Sequence, residues 1–328
     1  MSWINPFSPK TSMAGKIYRW LFIIVLPLAI LTTVVAGYEY NKAFKPFFEP
    51  VPTMGKDEKG PAPGVVFTNT IIKLTEQMLE GWLPNDRLWP SIFLDNPHNY
   101  QMGQLEVIRY GTRLLRDKLS RQRTTDKIDQ LTDRAFTDFS NDPYRWMFPS
   151  AESKFKDAVK ALREYQVGLK KGTSHFYPRA DNFIELLDQL TSLLGGFNTR
   201  LANAPRDVQV KLSEETAGDR YTSGEKMVKV KVPWREIDDN FYLARGAAYA
   251  LRQLMVAIRW EFREVIEVKR SGELVNNIIE DLGRAHIEPL LVLNGSRDSI
   301  FANHSLTMQA TLENVRQKMI NLQQMMER

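Results

Sequence analysis

Apolar residues along most of this chain recur at alternating steps of three and four. Phe67, Ile71, Leu74 and Met78 do so first, and Leu105, Ile108, Thr112, Leu115 and Leu119 follow. Ile128, Leu131 and Ala135 continue that helix or begin another. Phe155, Ala158, Leu162, Tyr165 and Leu169 mark a further helix, with Ser150 placed as its N-cap and Glu152 in its first turn. Two stripes are longer: Phe183, Leu187, Leu190, Leu194, Phe197 and Leu201, then the unbroken series Ile237, Phe241, Ala244, Ala248, Leu251, Met255, Ile258, Phe262 and Val265. A last stripe runs through Met308, Leu312, Val315, Met319, Leu322 and Met326. Such spacing averages 3.5 residues and keeps one seam on one helix face. The expected fold is therefore mainly α: an elongated bundle of long amphipathic helices. The small residues of Arg245–Leu251 (RGAAYAL) allow a neighbouring helix to approach closely. Seams of this kind close within one chain or between copies, so a homo-oligomer is a possible state.

Two segments depart from helical spacing. Val208, Val210 and Leu212 alternate with polar residues, as do Val228, Val230 and Val232, around a polar stretch holding Gly218 and Gly224. Period two on both sides predicts one β-hairpin, at about 207–233, inserted between two helices. The other exception is Trp20–Tyr38, 19 residues without a charge. As a helix they span a hydrocarbon core of about 30 Å, with Trp20, Tyr38 and Tyr40 as interfacial aromatics. Val34-Val35-Ala36 resembles a signal-peptidase site, but the apolar run exceeds the usual signal core of ~7–15 residues, which favours an uncleaved transmembrane helix. The expected organisation is a short cytoplasmic tail at 1–19, a transmembrane anchor at 20–38, a Pro/Gly-rich tether at 39–64 and a helical body at 65–328. Within the tether, Glu49–Gly64 holds four prolines and three glycines.

Charge refines this picture. Lys10, Lys16 and Arg19 precede the apolar run and Lys42 and Lys45 follow it, which under the positive-inside rule favours an N-terminus in the cytoplasm. For a bacterial chain the body then lies in the periplasm, anchored to the inner membrane. The whole chain has 44 Lys and Arg against 39 Asp and Glu. Setting aside the three basic residues ahead of the anchor, the rest is nearly neutral, which argues against nucleic acid as a partner. The absence of cysteine removes thiol nucleophiles, thiolate metal sites and disulfides together.

Candidate chemistry is sparse. The histidines His98, His175, His286 and His304 are scattered, none preceded by Glu three residues earlier, and no H-E-x-x-H, G-x-S-x-G, Walker or dinucleotide motif occurs. Asp238 and Asp239 are available as a carboxylate pair, but acids at that place before a long helix also suit its N-terminal dipole. Glu261, Glu264 and Glu267, among Arg259, Arg263 and Lys269, read as a solvated, salt-bridged face. Ser296, Asp298, Ser299, Asn303, His304 and Ser305 read as turn and cap chemistry. Gly195-Gly196 inside a helical stripe indicates close packing, a helix break or a hinge. No catalysis, cofactor or metal is expected.

Gly81–Gln104 (GWLPNDRLWPSIFLDNPHNYQMGQ) combines Pro84, Pro90 and Pro97 with Trp82, Trp89, Phe93 and Tyr100. Its prolines oppose helix and its aromatics oppose disorder, so an ordered loop folded back on the bundle is expected. Because Trp and Tyr are typical of binding hot spots, Trp82, Trp89, Phe93 and Tyr100, with Trp146, form the candidate interaction surface. The stretches Pro84–Asn96, Asp142–Phe155 (DPYRWMFPSAESKF), Val232–Leu251 (VPWREIDDNFYLARGAAYAL) and Phe301–Leu306 (FANHSL) give the chain its resemblance to a family. It resembles an uncharacterised proteobacterial family, a domain of unknown function found in single-pass inner-membrane proteins with a helical body. The resemblance implies a bacterial inner-membrane location and a mostly helical fold, and it brings no activity, cofactor or site residue. The functional expectation is a membrane-anchored periplasmic structural or interaction protein of the cell envelope, with envelope proteins as partners. The alternatives are a carboxylate hydrolase of envelope polymers and a ligand-binding sensor input that acts through a partner.

Overall fold

The computed structural model describes residues 13–53, 60–86, 94–123, 125–203, 207–212, 226–231, 235–289, 292 and 303–327. The chain is mainly helical. In order, the helices are α1 (Met13–Ala43), α2 (Val65–Leu79), α3 (Asp95–Leu114, prolonged by a π turn at Leu115–Leu119), α4 (Gln130–Phe139), α5 (Ala151–Lys171), α6 (Ala180–Asn203), α7 (Arg235–Glu261), α8 (Arg263–Val268), α9 (Gly272–Arg284) and α10 (His304–Glu327). Between α6 and α7 the backbone of β1 (Asp207–Leu212) runs antiparallel to β2 (Lys226–Lys231), Val208 opposite Val230 and Val210 opposite Val228. The side chains of this segment lie outside the described residues, and the helices define the core.

α7 is the centre of the bundle. It packs against α2, α3, α6, α9 and α10, and every residue from Phe241 to Leu251 is buried. The heptad seam through Phe241, Ala244, Ala248 and Leu251 describes only one face of it. Ala247, Tyr249 and Ala250, off that seam, are buried as well. A helix covered on all sides needs small side chains wherever a neighbour comes close, which the alanines and Gly246 supply. Close approach is tightest at α3. A Cβ on Gly103 would collide with the Leu243 carbonyl oxygen, and one on Gly246 with the Tyr100 carbonyl oxygen. The two glycines face each other's helix backbone across a single crossing.

The other stripes close inside the chain. α6 and α10 pack together along Leu187–Leu201 and Met308–Met326, cross-linked where the Asn198 amide donates to Glu313 at 2.7 Å. Phe183 of α6 stacks on Phe262 at 4.9 Å. Ser150 caps α5 by accepting from the Ser153 N–H, and Gly172, at φ 74°, ends that helix in the left-handed conformation open to glycine. α6 runs without a break through Gly195 and Gly196, and a Cβ at either would meet open space, so neither a break nor close packing accounts for them.

Two expectations are corrected. Prolines in Gly81–Gln104 do not delay helix until Leu105: α3 begins at Asp95, with Pro97 in its first turn. The N–H that proline lacks is among the four that have no intrahelical partner at that end. Glu261 does not belong to a solvated face. It is 5% exposed and accepts from the backbone N–H groups of Gly64 (2.8 Å), Val66 (2.9 Å) and Phe67 (3.1 Å), capping α2 from almost two hundred residues away. α2 has no cap of its own because Gly64, its N-cap residue at φ 85°, has no side chain to offer. Glu264 and Glu267 are exposed, as expected of such a face.

Candidate functional site at the exit of α1

Phe22–Ala43 of α1 is long and apolar enough to cross a membrane, and Phe22, Ile24, Leu28, Leu31 and Val34 leave their side chains uncovered by the rest of the chain. Where the helix ends, the chain is fastened to the body at once. The Tyr249 hydroxyl donates to the Pro46 carbonyl at 2.8 Å, and the Gln253 amide donates to the Phe48 carbonyl at 2.7 Å. Phe47 stacks on Tyr249 at 5.2 Å with the Arg252 guanidinium 4.1 Å over its ring, and Lys45 pairs with Glu80 beyond the end of α2. Residues 44–48, in the first half of the stretch expected to be a tether, are thus a strap held by α2 and α7.

Beneath this strap lies Arg245, only 1% exposed. Its guanidinium sits 4.7 Å from the Phe44 ring centroid, 5.6 Å from Tyr100 and 5.8 Å from Tyr242. These cation–π contacts are worth more in a desolvated setting than at the surface. Its acidic neighbour is Glu288, with Oε1 3.3 Å from Nη2, and Glu288 is itself 67% exposed. Among the described residues, none of the Nε, Nη1 and Nη2 groups makes a hydrogen bond. The same holds for the Tyr100 hydroxyl and for Nδ1 of His286, whose ring lies 6.0 Å from Tyr100, 5.5 Å from Tyr249 and 5.2 Å from Phe47. Burial, with the Arg245 charge second, lowers the His286 pKa to about 4, so the imidazole is neutral at pH 7. Burial also raises Tyr100 well above the ordinary phenol value. The site therefore holds one fixed positive charge, a neutral imidazole and neutral phenols.

Of the five aromatic residues expected to form an interaction surface, the three described ones, Trp82, Tyr100 and Trp146, are not brought together. Trp82 is 7% exposed, with its indole N–H donating to the Pro143 carbonyl and its ring edge-on to Phe155 at 5.3 Å. Tyr100 is fully buried as a wall of the Arg245 cage. Both gain more as core than as surface, because each ring has apolar neighbours on several sides and little water to face. Trp89 and Phe93 lie outside the described residues. Trp146 is 56% exposed and stands with Tyr144, Met147 and Phe148, which are exposed too, on the loop joining α4 to α5. That loop is fixed at its base: Tyr144 packs on His98, and the Asn85 amide donates to the Arg145 carbonyl at 3.1 Å.

The remaining candidates are structural. Asp238 and Asp239 lie within the first turns of α7 rather than ahead of it. Burial raises the pKa of Asp238, with Asp95 adding to the effect, while Asp239 accepts from the Asn99 amide at 2.6 Å. Asn303 accepts from the Leu306 N–H and so caps α10, while Ser296, Asp298 and Ser299 lie outside the described residues. Among the described residues no three His, Asp or Glu side chains converge as a metal-binding group. A cleft of about 500 Å³ beyond the C-terminal end of α3 is lined by Asp117, Lys118, Arg121, Arg123, Arg179 and Asp181. Its charges are largely spent on one another and on backbone carbonyls, Arg179 pairing with Asp181 and Arg121 donating to the Asp117 carbonyl. Arg245 was the residue that sequence reasoning missed. Its signal was a charge set among Ala244, Gly246, Ala247 and Ala248, where small neighbours on every side leave no solvated face for it.

The chain belongs to the family DUF2333, described as an uncharacterized protein conserved in bacteria, which matches residues 12–328. No curated protein and no solved structure matches it.

Proposed function

We propose that this protein is a membrane-anchored structural and interaction protein of the bacterial cell envelope, without catalysis of its own. In this reading α1 crosses the inner membrane, the N-terminus lies in the cytoplasm and the body stands in the periplasm. The observation that carries it is the exposed run Tyr144, Trp146, Met147 and Phe148, a surface of the kind that marks partner contacts. The strap supports it as well. A body clasped to its own membrane helix through Pro46, Phe47 and Phe48 transmits force and orientation, which a free tether does not. The hairpin expected at about 207–233, of which the described residues comprise the strand pair β1 and β2, is a second element we assign to partner contact. Envelope proteins are the partners proposed, with self-association a further possibility.

Two measurements test this. The chain contains no cysteine, so Gln324→Cys, at an exposed position of α10, gives one labelling site. A maleimide that cannot cross the inner membrane should label it in intact cells with a permeabilised outer membrane. Labelling only after lysis would place the body in the cytoplasm and end the envelope reading. A photo-reactive residue at Trp146 should then cross-link to envelope proteins, while one at exposed Lys160 on α5 should not. Equal cross-linking at both would remove the partner surface.

A further inference from the structure

We propose that Arg245, Tyr100 and His286 form a recognition site for a phosphate-bearing anion, filled by the headgroup of an anionic phospholipid. Three elements contribute: α7 gives the guanidinium, α3 the phenol, and the segment after α9 the imidazole. Each carries a buried polar atom with no hydrogen bond among the described residues, and the guanidinium and the imidazole lie 5.6 Å and 6.0 Å from the Tyr100 ring. Buried polar groups are nearly always paired, so three unmet ones at a single place specify something that would meet them. Phe44, Tyr100 and Tyr242 surround the guanidinium and leave its N–H donors unfilled. Those donors bind a planar fork of phosphate or carboxylate oxygens. The Tyr100 hydroxyl adds a donor, and the His286 ring adds another when its Nδ1 carries the proton.

Glu288 occupies this position weakly. Its one close oxygen, at 3.3 Å, makes no hydrogen bond to the guanidinium, and two-thirds of the side chain is in solvent. A carboxylate so well hydrated is easily displaced by an anion that offers better geometry. The choice of a lipid headgroup rests on the proposed reading that α1 spans the membrane. Phe44 follows the last residue of α1 directly and packs on Tyr40 at 4.8 Å, so the cage lies nearly two helical turns, about 9 Å, beyond Tyr38, at headgroup depth. Of the other cations there, Lys42 and Lys45 are engaged with Glu39 and Glu80, and Arg252 lies over the Phe47 ring.

The test uses the full chain in two settings. In detergent, thermal stability and the imidazole shift of His286 are followed against inorganic phosphate, with chloride at matched ionic strength. In nanodiscs, phosphatidylcholine alone is compared with phosphatidylcholine containing phosphatidylglycerol. Binding should move the His286 resonance and raise the melting temperature. Glu288→Gln should tighten binding about three- to fivefold, because it removes the competing carboxylate. Arg245→Lys should weaken it at least about tenfold through loss of the fork. If Arg245→Lys does not fold, Tyr100→Phe, which removes one hydroxyl and keeps the ring, should weaken binding on its own. A response to phosphatidylglycerol that follows these variants supports the lipid source. A response to inorganic phosphate without one to the lipid keeps the anion site and removes the lipid. If Glu288→Gln lowers stability and tightens neither probe, Glu288 is the permanent counter-ion and the proposal falls. Lipid binding indifferent to Glu288→Gln and Tyr100→Phe would assign it to Lys42 and Lys45 and overturn the proposal too. The inorganic phosphate measurement stands whether or not α1 spans the membrane, so the two readings fail separately.

Discussion

Replacing Glu261 by alanine would remove the side chain that caps α2. The carboxylate accepts from Gly64 with one oxygen and from Val66 and Phe67 with the other, all in buried surroundings. Burial raises its pKa, while the three N–H groups and Arg263 pull the other way and are outweighed. The ionised form therefore gains nothing net over water, and the worth of Glu261 lies in the donors it satisfies rather than in its charge. A buried donor left unmet costs about 1–3 kcal/mol. Three at one helix end share a single acceptor group and relax together, so Glu261→Ala should lose about 3–5 kcal/mol rather than their full sum. Glu261→Gln keeps an oxygen for Val66 and Phe67 and turns its amide toward Gly64, so about 1–2 kcal/mol should be lost. For a body of this size each kcal/mol moves the melting temperature by about 2–4 °C. Full-length protein in detergent, melted by helical circular dichroism, should fall by roughly 6–20 °C for alanine and clearly less for glutamine. Equal losses for both would show that charge matters after all. A loss under about 2 °C for alanine would refute the capping argument.

Other outcomes follow from single contacts. Gly246→Ala or Gly103→Ala drives a methyl into the opposing backbone at the α3–α7 crossing, where no side chain can yield, and should cost about 3 kcal/mol or more, seen as a large fall in melting temperature or as loss of folded protein. Gly196→Ala, in open space within α6, should raise stability by about 1 kcal/mol, and a fall would mean that the glycine serves a bend. His286 titrates at about 4 in the fold against 6.5 in the unfolded chain. Between those values the unfolded state holds the extra proton, so stability falls as pH is lowered through this window, by at most about 3 kcal/mol. Urea midpoints at pH 7 and pH 4.5 should differ for the native chain by more than for His286→Gln, and equal differences would remove His286 as the cause.

The seams were legible because amphipathic spacing is local: Phe183–Leu201 and Met308–Met326 are buried as their periodicity required, and Ser150 caps α5 as its place in the sequence required. The reach of RGAAYAL toward a neighbouring helix was legible too, though not the identity of α3 or the matching Gly103. What escaped depends on contacts distant in the chain. Nothing near Glu261 indicates that its partner is Gly64, and a glutamate among arginines has the same local pattern on a surface as at a buried cap. Pro97 misled because a proline's effect depends on its position in a helix, and the position was unknown. Trp82 and Tyr100 misled because an aromatic side chain carries the same signal in a core and at a hot spot, and only neighbours decide between them.

One helix joins these features. From Arg245 to Glu261, α7 rises about 24 Å. Near its first turns it walls the cage at the exit of α1; at Tyr249 and Gln253 it holds the strap; at Glu261 it caps α2. α2 then returns toward the same exit and reaches the strap through the Lys45–Glu80 pair. The end of α1 is therefore fixed by both arms of a closed circuit, and loosening one end should be felt at the other. If the circuit is real, Glu261→Ala should increase hydrogen exchange not only at Gly64–Phe67 but also in residues 44–48, far from the substitution. Exchange confined to the start of α2 would mean that the two ends of the body are independent, and that α1 takes its orientation from the strap alone.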